Sequence, residues 1–116
     1  MMRHYILVGQ SVVEEPDMLK WATWSFGAGD KGRIVAQHVV GQYFVSTVFL
    51  GFDHNWAARG RRPAMFETMT FKHGRSVELF RCATWVEAED QHEQVVMKLE
   101  NREAMARSEV ADAAID

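Results

Sequence analysis

Four residues carry side chains able to do acid–base or metal chemistry at positions that invite a shared site: Asp53, His54, Glu67 and His92. Asp53-His54-Asn55-Trp56 follows Tyr43 to Phe52, the most strand-like segment of the chain. A polar loop therefore begins where a buried strand ends. A carboxylate and an imidazole can share a proton or hold a divalent cation. Glu67 shares a strand face with Met65, Met69 and Phe71, and a carboxylate on an apolar face needs a partner. His92 lies on the apolar stripe of the last helix and so turns toward the sheet. If the four converge, they make a mixed metal site or the acid–base pair of a small hydrolase. His54, Glu67 and His92 are then its catalytic candidates. Their spacing matches no recognised metal motif. The competing reading is structural: Asp53 and Asn55 close the loop through hydrogen bonds to the backbone, His54 packs or pairs with Glu67, and His92 is a satisfied core histidine. No cofactor is implied.

The same loop offers a binding reading. Arg59-Gly60-Arg61-Arg62 lies close to Trp56. Arginine and tryptophan are both enriched at protein interface hot spots, and together they can also grip phosphate and stack a base. The binding candidates are thus Asp53, His54, Asn55, Trp56, Arg59, Arg61 and Arg62. A solvated loop facing an acidic helix would explain the arginines equally well.

Other motifs carry less. Gly27-Ala28-Gly29-Asp30-Lys31-Gly32 lacks the Gly-Lys-Ser/Thr of a phosphate loop and follows a helix, so it reads as a cap and turn. Cys82 lies in a strand with no base beside it and reads as an inert thiol. Ser46 lacks a nucleophile-elbow pattern. Trp21 and Trp24, three apart on a short helix with Met18, read as core or, if uncovered, as an interface.

The elements that must position these residues follow from periodicity. Tyr5 to Gln10 reads as a strand. A helix opens at Glu15-Pro16-Asp17, with proline at the first helical position. Ile34 to Val40 and Tyr43 to Phe52 read as strands, the second apolar on both faces and hence central. Ala64 to Phe71 and Val77 to Ala83 continue an antiparallel meander. Thr84-Trp85-Val86-Glu87 is a capping box: the threonine oxygen accepts the Glu87 amide, and the carboxylate reaches back. Ala88, His92, Val95, Val96 and Leu99 then form one stripe. The expected fold is α+β: an antiparallel sheet of four to five strands, with a short N-terminal helix and a longer C-terminal helix packed on it. Residues 1–107 form one domain, and 108–116 are expected to fray or to be ordered by a partner.

Composition bounds the rest. The chain has 116 residues, a net charge of −3, four tryptophans and one cysteine. One cysteine excludes an internal disulfide and a thiolate cluster, and suggests a reducing compartment. The Tyr5–Gln10 segment is too short for a signal peptide, and no segment approaches a membrane span. Charge is uneven. Six bases (Arg59, Arg61, Arg62, Lys72, Arg75, Arg81) and two acids (Glu67, Glu78) lie between Trp56 and Arg81. From Glu87 onward there are nine acids and three bases. The net negative charge disfavours nucleic acid as the partner, and an acidic protein partner suits the basic middle better. The two-sided apolar strand needs two covers, and a homo-dimer would supply the second.

Val45-Ser46-Thr47-Val48-Phe49-Leu50-Gly51-Phe52-Asp53-His54-Asn55 resembles a segment of small uncharacterised proteins encoded by bacteriophages and prophages. The resemblance continues through Phe66-Glu67-Thr68-Met69 and through Thr84-Trp85, Glu87-Ala88 and His92. It spans roughly residues 43–96 plus the opening strand. The family's loop is often short and glycine-rich, whereas here it carries Trp56 and the arginines. The resemblance implies a phage-type accessory protein in the cytoplasm of a bacterial host, and brings no activity with it. A protein-binding role, a small hydrolase, and a virion or assembly component remain as readings.

Overall fold

The structure, a computed structural model, describes residues 3–29, 31–57 and 60–115, with side chains through Ala111. Asp30 and Arg59 lie outside the described residues. Two strands, β1 (Tyr5–Val8) and β2 (Ser11–Glu14), form a hairpin sheet. Helix α1 (Met18–Ala28) follows, then a four-stranded antiparallel sheet of β3 (Ile34–Val40), β4 (Tyr43–Phe49), β5 (Phe66–Lys72) and β6 (Arg75–Cys82). These four lie in sequence order, so the sheet is a meander with β3 and β6 at its edges. The chain closes with α2 (Trp85–Ile115). The fold is α+β, as expected.

Several boundaries differ from the sequence expectation. The first strand ends at Val8 because Gly9, at φ 62°, turns the chain back and lets Ser11–Glu14 pair with it. Helix α1 begins one residue beyond Asp17, which caps it: its Oδ1 accepts from the Leu19 and Lys20 amides at 2.9 and 3.2 Å. Pro16 precedes the cap rather than opening the helix. β4 stops at Phe49, and Phe52 instead bridges to His4. α2 runs past Arg107 to Ile115, because its last turns are rich in good helix formers and hold no glycine or proline.

Side-chain alternation sorts the sheet into two faces. The inner face, under α2, carries Tyr43, Val45, Thr47 and Phe49 from β4 with Phe66, Thr68 and Thr70 from β5, all buried. Across it lies the predicted α2 stripe of Ala88, His92, Val95, Val96 and Leu99, also buried. The apolar contacts form two clusters. One joins Val40, Tyr43, Val45, Val95, Val96 and Leu99, and the other joins Phe49, Met65, Phe66 and Ala88. Fully burying one such side chain stabilises by about 1.5–3 kcal/mol, so these clusters hold the helix on the sheet. Gly41 turns β3 into β4 at φ 59°, and a Cβ there would meet the Glu103 carboxylate at 2.5 Å. The φ is what asks for glycine, since the Glu103 carboxylate is the end of a flexible side chain and can swing aside.

The hairpin and α1 close one end of the second cluster. Trp21 Nε1 donates to the Tyr5 carbonyl at 2.9 Å, and its ring packs at a tilt against His4 and Phe52. Trp24 meets Phe49 edge-on at 5.8 Å. The Arg33 guanidinium lies over both indoles and bonds the Ser25 hydroxyl. Both tryptophans are therefore partly buried core elements, while Met18 stays exposed.

Candidate functional site

The loop from Asp53 is built by its own polar groups. Asp53 Oδ1 accepts from the Asn55 amide at 2.8 Å and the Ala64 amide at 2.9 Å. The His54 amide donates to the Ala64 carbonyl at 3.0 Å, and Asn55 Nδ2 donates to the Arg62 carbonyl at 3.0 Å. These bonds cinch the loop where it re-enters the sheet, which is the structural reading of Asp53 and Asn55. His54 is exposed on the outside of the loop.

The four-residue centre is not assembled. Glu67 projects from the face opposite to its neighbour Thr68, which sits with His92 under α2. Glu67 accepts from Arg81 Nε at 3.2 Å across the strand pair, so its partner is an arginine and not His54. A sheet separates Glu67 from His92, so the four residues do not converge on one site. Among the described residues, no three His, Cys, Asp or Glu side chains are grouped to hold a metal ion.

His92 instead anchors a polar relay beneath the helix. Its Nε2 lies 2.8 Å from His38 Nδ1, and its Nδ1 lies 2.7 Å from Thr47 Oγ1. Thr47 Oγ1 is 2.7 Å from Thr68 Oγ1, which accepts from Gln91 Nε2 at 2.8 Å. Gln91 also donates to the Phe80 carbonyl at 3.3 Å. A neutral imidazole has one donor and one acceptor, so one assignment satisfies the row: Gln91 gives to Thr68, Thr68 to Thr47, Thr47 to His92, and His92 to His38. Burial, and then the nearby His38, hold the His92 pKa below its ordinary value. The relay spans the sheet from β3 to β6 and separates the two apolar clusters. Sequence reading located His92 correctly but missed His38, Thr47, Thr68 and Gln91. The available signal was the strand alternation that sets His38, Thr47 and Thr68 on one face.

Where Gln91 reaches β6, a groove opens. Helix α2 packs closest to β3 and β4 and leaves the β6 side of the inner face uncovered. The groove encloses about 780 Å³ between β6, α2 and the loop. Its floor includes Phe80, Cys82 and Ala64, and its helix wall includes Gln91, Gln94 and Val95. An ion pair stands at each end. Lys98 Nζ donates to Glu78 at 2.8 Å and lies 5.6 Å from the Phe80 ring centroid. Arg62 makes a bidentate pair with Glu87 at 2.5 and 2.6 Å, tying the loop to the start of α2.

Glu87 also completes the expected capping box: Thr84 Oγ1 accepts from the Glu87 amide at 3.2 Å and donates to its carboxylate at 2.9 Å. The Arg62 guanidinium and these cap bonds hold the Glu87 pKa at about 2. Burial and the Glu87 charge push the Cys82 thiol up to about 11, so it is neutral and inert, as its sequence context suggests. Of the binding candidates, Asn55, Arg61 and Arg62 line the groove; Trp56, half exposed, lies outside its lining. Glu87 and Asp90 sit in the same lining, so the surface is mixed in charge rather than a phosphate-gripping basic patch.

No helix among the described residues is long and apolar enough to cross a membrane. Comparison with protein-family models, with curated proteins and with solved structures found no match.

Proposed function

We propose that this chain is a small accessory protein of phage type that acts by binding a protein partner, with the β6–α2 groove as its binding surface. The groove itself carries the reading. It is long and open, and one side is an edge strand whose outer backbone groups have no neighbour in the sheet. An extended segment can add to such an edge through main-chain hydrogen bonds, while its side chains use the adjoining pocket. Phe80, 40% exposed on the floor, gives an apolar anchor point, and the Gln91 and Gln94 amides beside it give directional hydrogen bonds. Arg61 favours an acidic residue in the bound segment. Chemistry at this surface has no support from its thiol, which is held protonated.

Selection of extended peptides against the whole chain, followed by amide chemical-shift mapping, tests the proposal. Bound peptides are expected to move the amides of Leu79–Cys82 and the side-chain amides of Gln91 and Gln94. Phe80→Arg should weaken binding at least tenfold. Peptides that map elsewhere, or that bind Phe80→Arg equally well, would sink the reading.

A further inference from the structure

The outer face of the four-stranded sheet faces away from α2, and no described element of the chain lies across it. Reading across the strands, it presents Val39, Phe44 and Phe71 in one row, Met69 and Leu79 in the next, and Ile34 and Val48 in a third. Val39 is 75% exposed, and Phe44 and Leu79 are also exposed. Phe44 and Phe71 pack side by side at 6.2 Å between ring centroids. The polar groups on this face are already matched to one another. Gln37 Nε2 donates to Ser46 Oγ at 3.1 Å, and Glu67 pairs with Arg81.

We propose that this face is covered by a second copy of the same chain, in a two-fold dimer centred on Phe44, Met69 and Phe71. Three observations select a copy over another partner. The face has no net charge, because its one acid and one base form an internal pair, so bringing two copies together sets no unpaired like charges against each other. Its shape is that of a twisted sheet, and the surface that best follows such a twist is another sheet of the same hand, packed about 10 Å away. Its size also fits. Four strands about 4.8 Å apart and seven residues of about 3.3 Å each project roughly 440 Å². Side-chain relief raises the accessible area toward the roughly 600–800 Å² per partner of a small specific dimer. The groove lies on the inner side of the sheet, so the dimer would carry two outward-facing grooves. The proposal does not depend on the groove reading.

Sedimentation equilibrium on the full chain tests it, with Phe44→Glu and Leu79→Lys as face variants and Met97→Glu as a control on the exposed side of α2. The wild type and Met97→Glu are expected near twice the 13.3 kDa chain mass. Each face variant should raise the dimer dissociation constant about 100-fold, because a charge would be left unpaired within the contact. Circular dichroism confirms which variants fold, and both altered positions are exposed in the single chain. A wild type at single-chain mass at the highest concentration reached overturns the proposal. So does a dimer that survives both face variants. Phe80→Arg, in the groove, should leave the mass unchanged, which separates failure here from failure of the peptide site.

Discussion

The two faces of one sheet are each mixed in polarity, yet only one is buried. The buried face, under α2, holds three threonines and a histidine: Thr47, Thr68, Thr70 and His92. The outer face shows Val39, Phe44 and Leu79 to solvent. Tyr43, Val45, Phe49 and Phe66 share the buried face, and Gln37, Ser46, Glu67 and Arg81 share the outer one, so polarity alone does not separate them. The buried groups are tolerated because three of them are wired together, each hydroxyl or ring nitrogen with a partner within 2.8 Å. On the outer face Val39, Phe44 and Leu79 are exposed beside the half-buried Ile34, Val48, Met69 and Phe71, and together they make a surface that calls for a cover. Burial on this sheet is thus decided by what lies across each face and not by the composition of the face.

The contrast can be broken most sharply at paired phenylalanines. Phe66, fully buried against Phe49 and Trp85, should cost about 3–5 kcal/mol when changed to alanine, read from denaturant unfolding. Phe44→Ala on the outer face should cost under about 1 kcal/mol when measured on dilute protein. Equal costs would mean that the outer face is covered within the single chain.

Thr47→Val comes next. It keeps the shape of the side chain and removes the link between His92 and Thr68, leaving buried groups unmatched on both sides. A loss of about 1–3 kcal/mol is expected. Ser46→Ala, one residue away on the outer face, should fall within about 0.5 kcal/mol. A neutral Thr47→Val would show that the relay is dispensable.

The relay also predicts a pH dependence. The His92 pKa is held below its ordinary value by burial and by His38. Below about 6.5, the unfolded chain therefore takes up a proton that the folded chain refuses. This contribution to stability is complete above that pH and is lost as pH falls toward the folded value. Unfolding midpoints at pH 7.5 and 5.5 should show the loss in the wild type and a smaller one in His92→Gln. An equal loss in both would remove His92 as the cause.

The smallest effect concerns the groove's end. Arg62 is exposed and Glu87 half-buried, so solvent screens their pair. Arg62→Ala should leave the unfolding midpoint nearly unchanged. The Glu87 carboxylate, held at about 2, keeps its contribution through neutral pH and loses it as pH falls from the usual carboxylate range toward that value. A large drop in the midpoint for Arg62→Ala would show that the loop–helix tie supports the core as well as the groove.

Local chemistry settled much of this protein from sequence alone. Thr84 and Glu87 capped α2 where their spacing said they would, because a capping box needs only four consecutive residues. The same start fixed the stripe from Ala88 to Leu99, since helical period does the rest. Strand-forming residues between turn signals marked the four strands of the meander, and Asp53 with Asn55 behaved as loop-closing residues because their hydrogen bonds reach only nearby backbone. The β1–β2 turn is local as well, but Gly9-Gln10 between two short apolar runs reads equally as a strand end. Only the tertiary structure decided the partners of side chains far apart in the chain. His92 and Glu67 both read as polar groups needing company, and period alone could not say that a sheet would stand between them. His92 found His38 and Thr47, 54 and 45 residues away, and Glu67 found Arg81. The groove was equally out of reach, because it exists only where α2 lies off-centre and leaves β6 uncovered. Sequence pattern sets each side chain's face, whereas the register between strands and the offset of a helix set what meets it there.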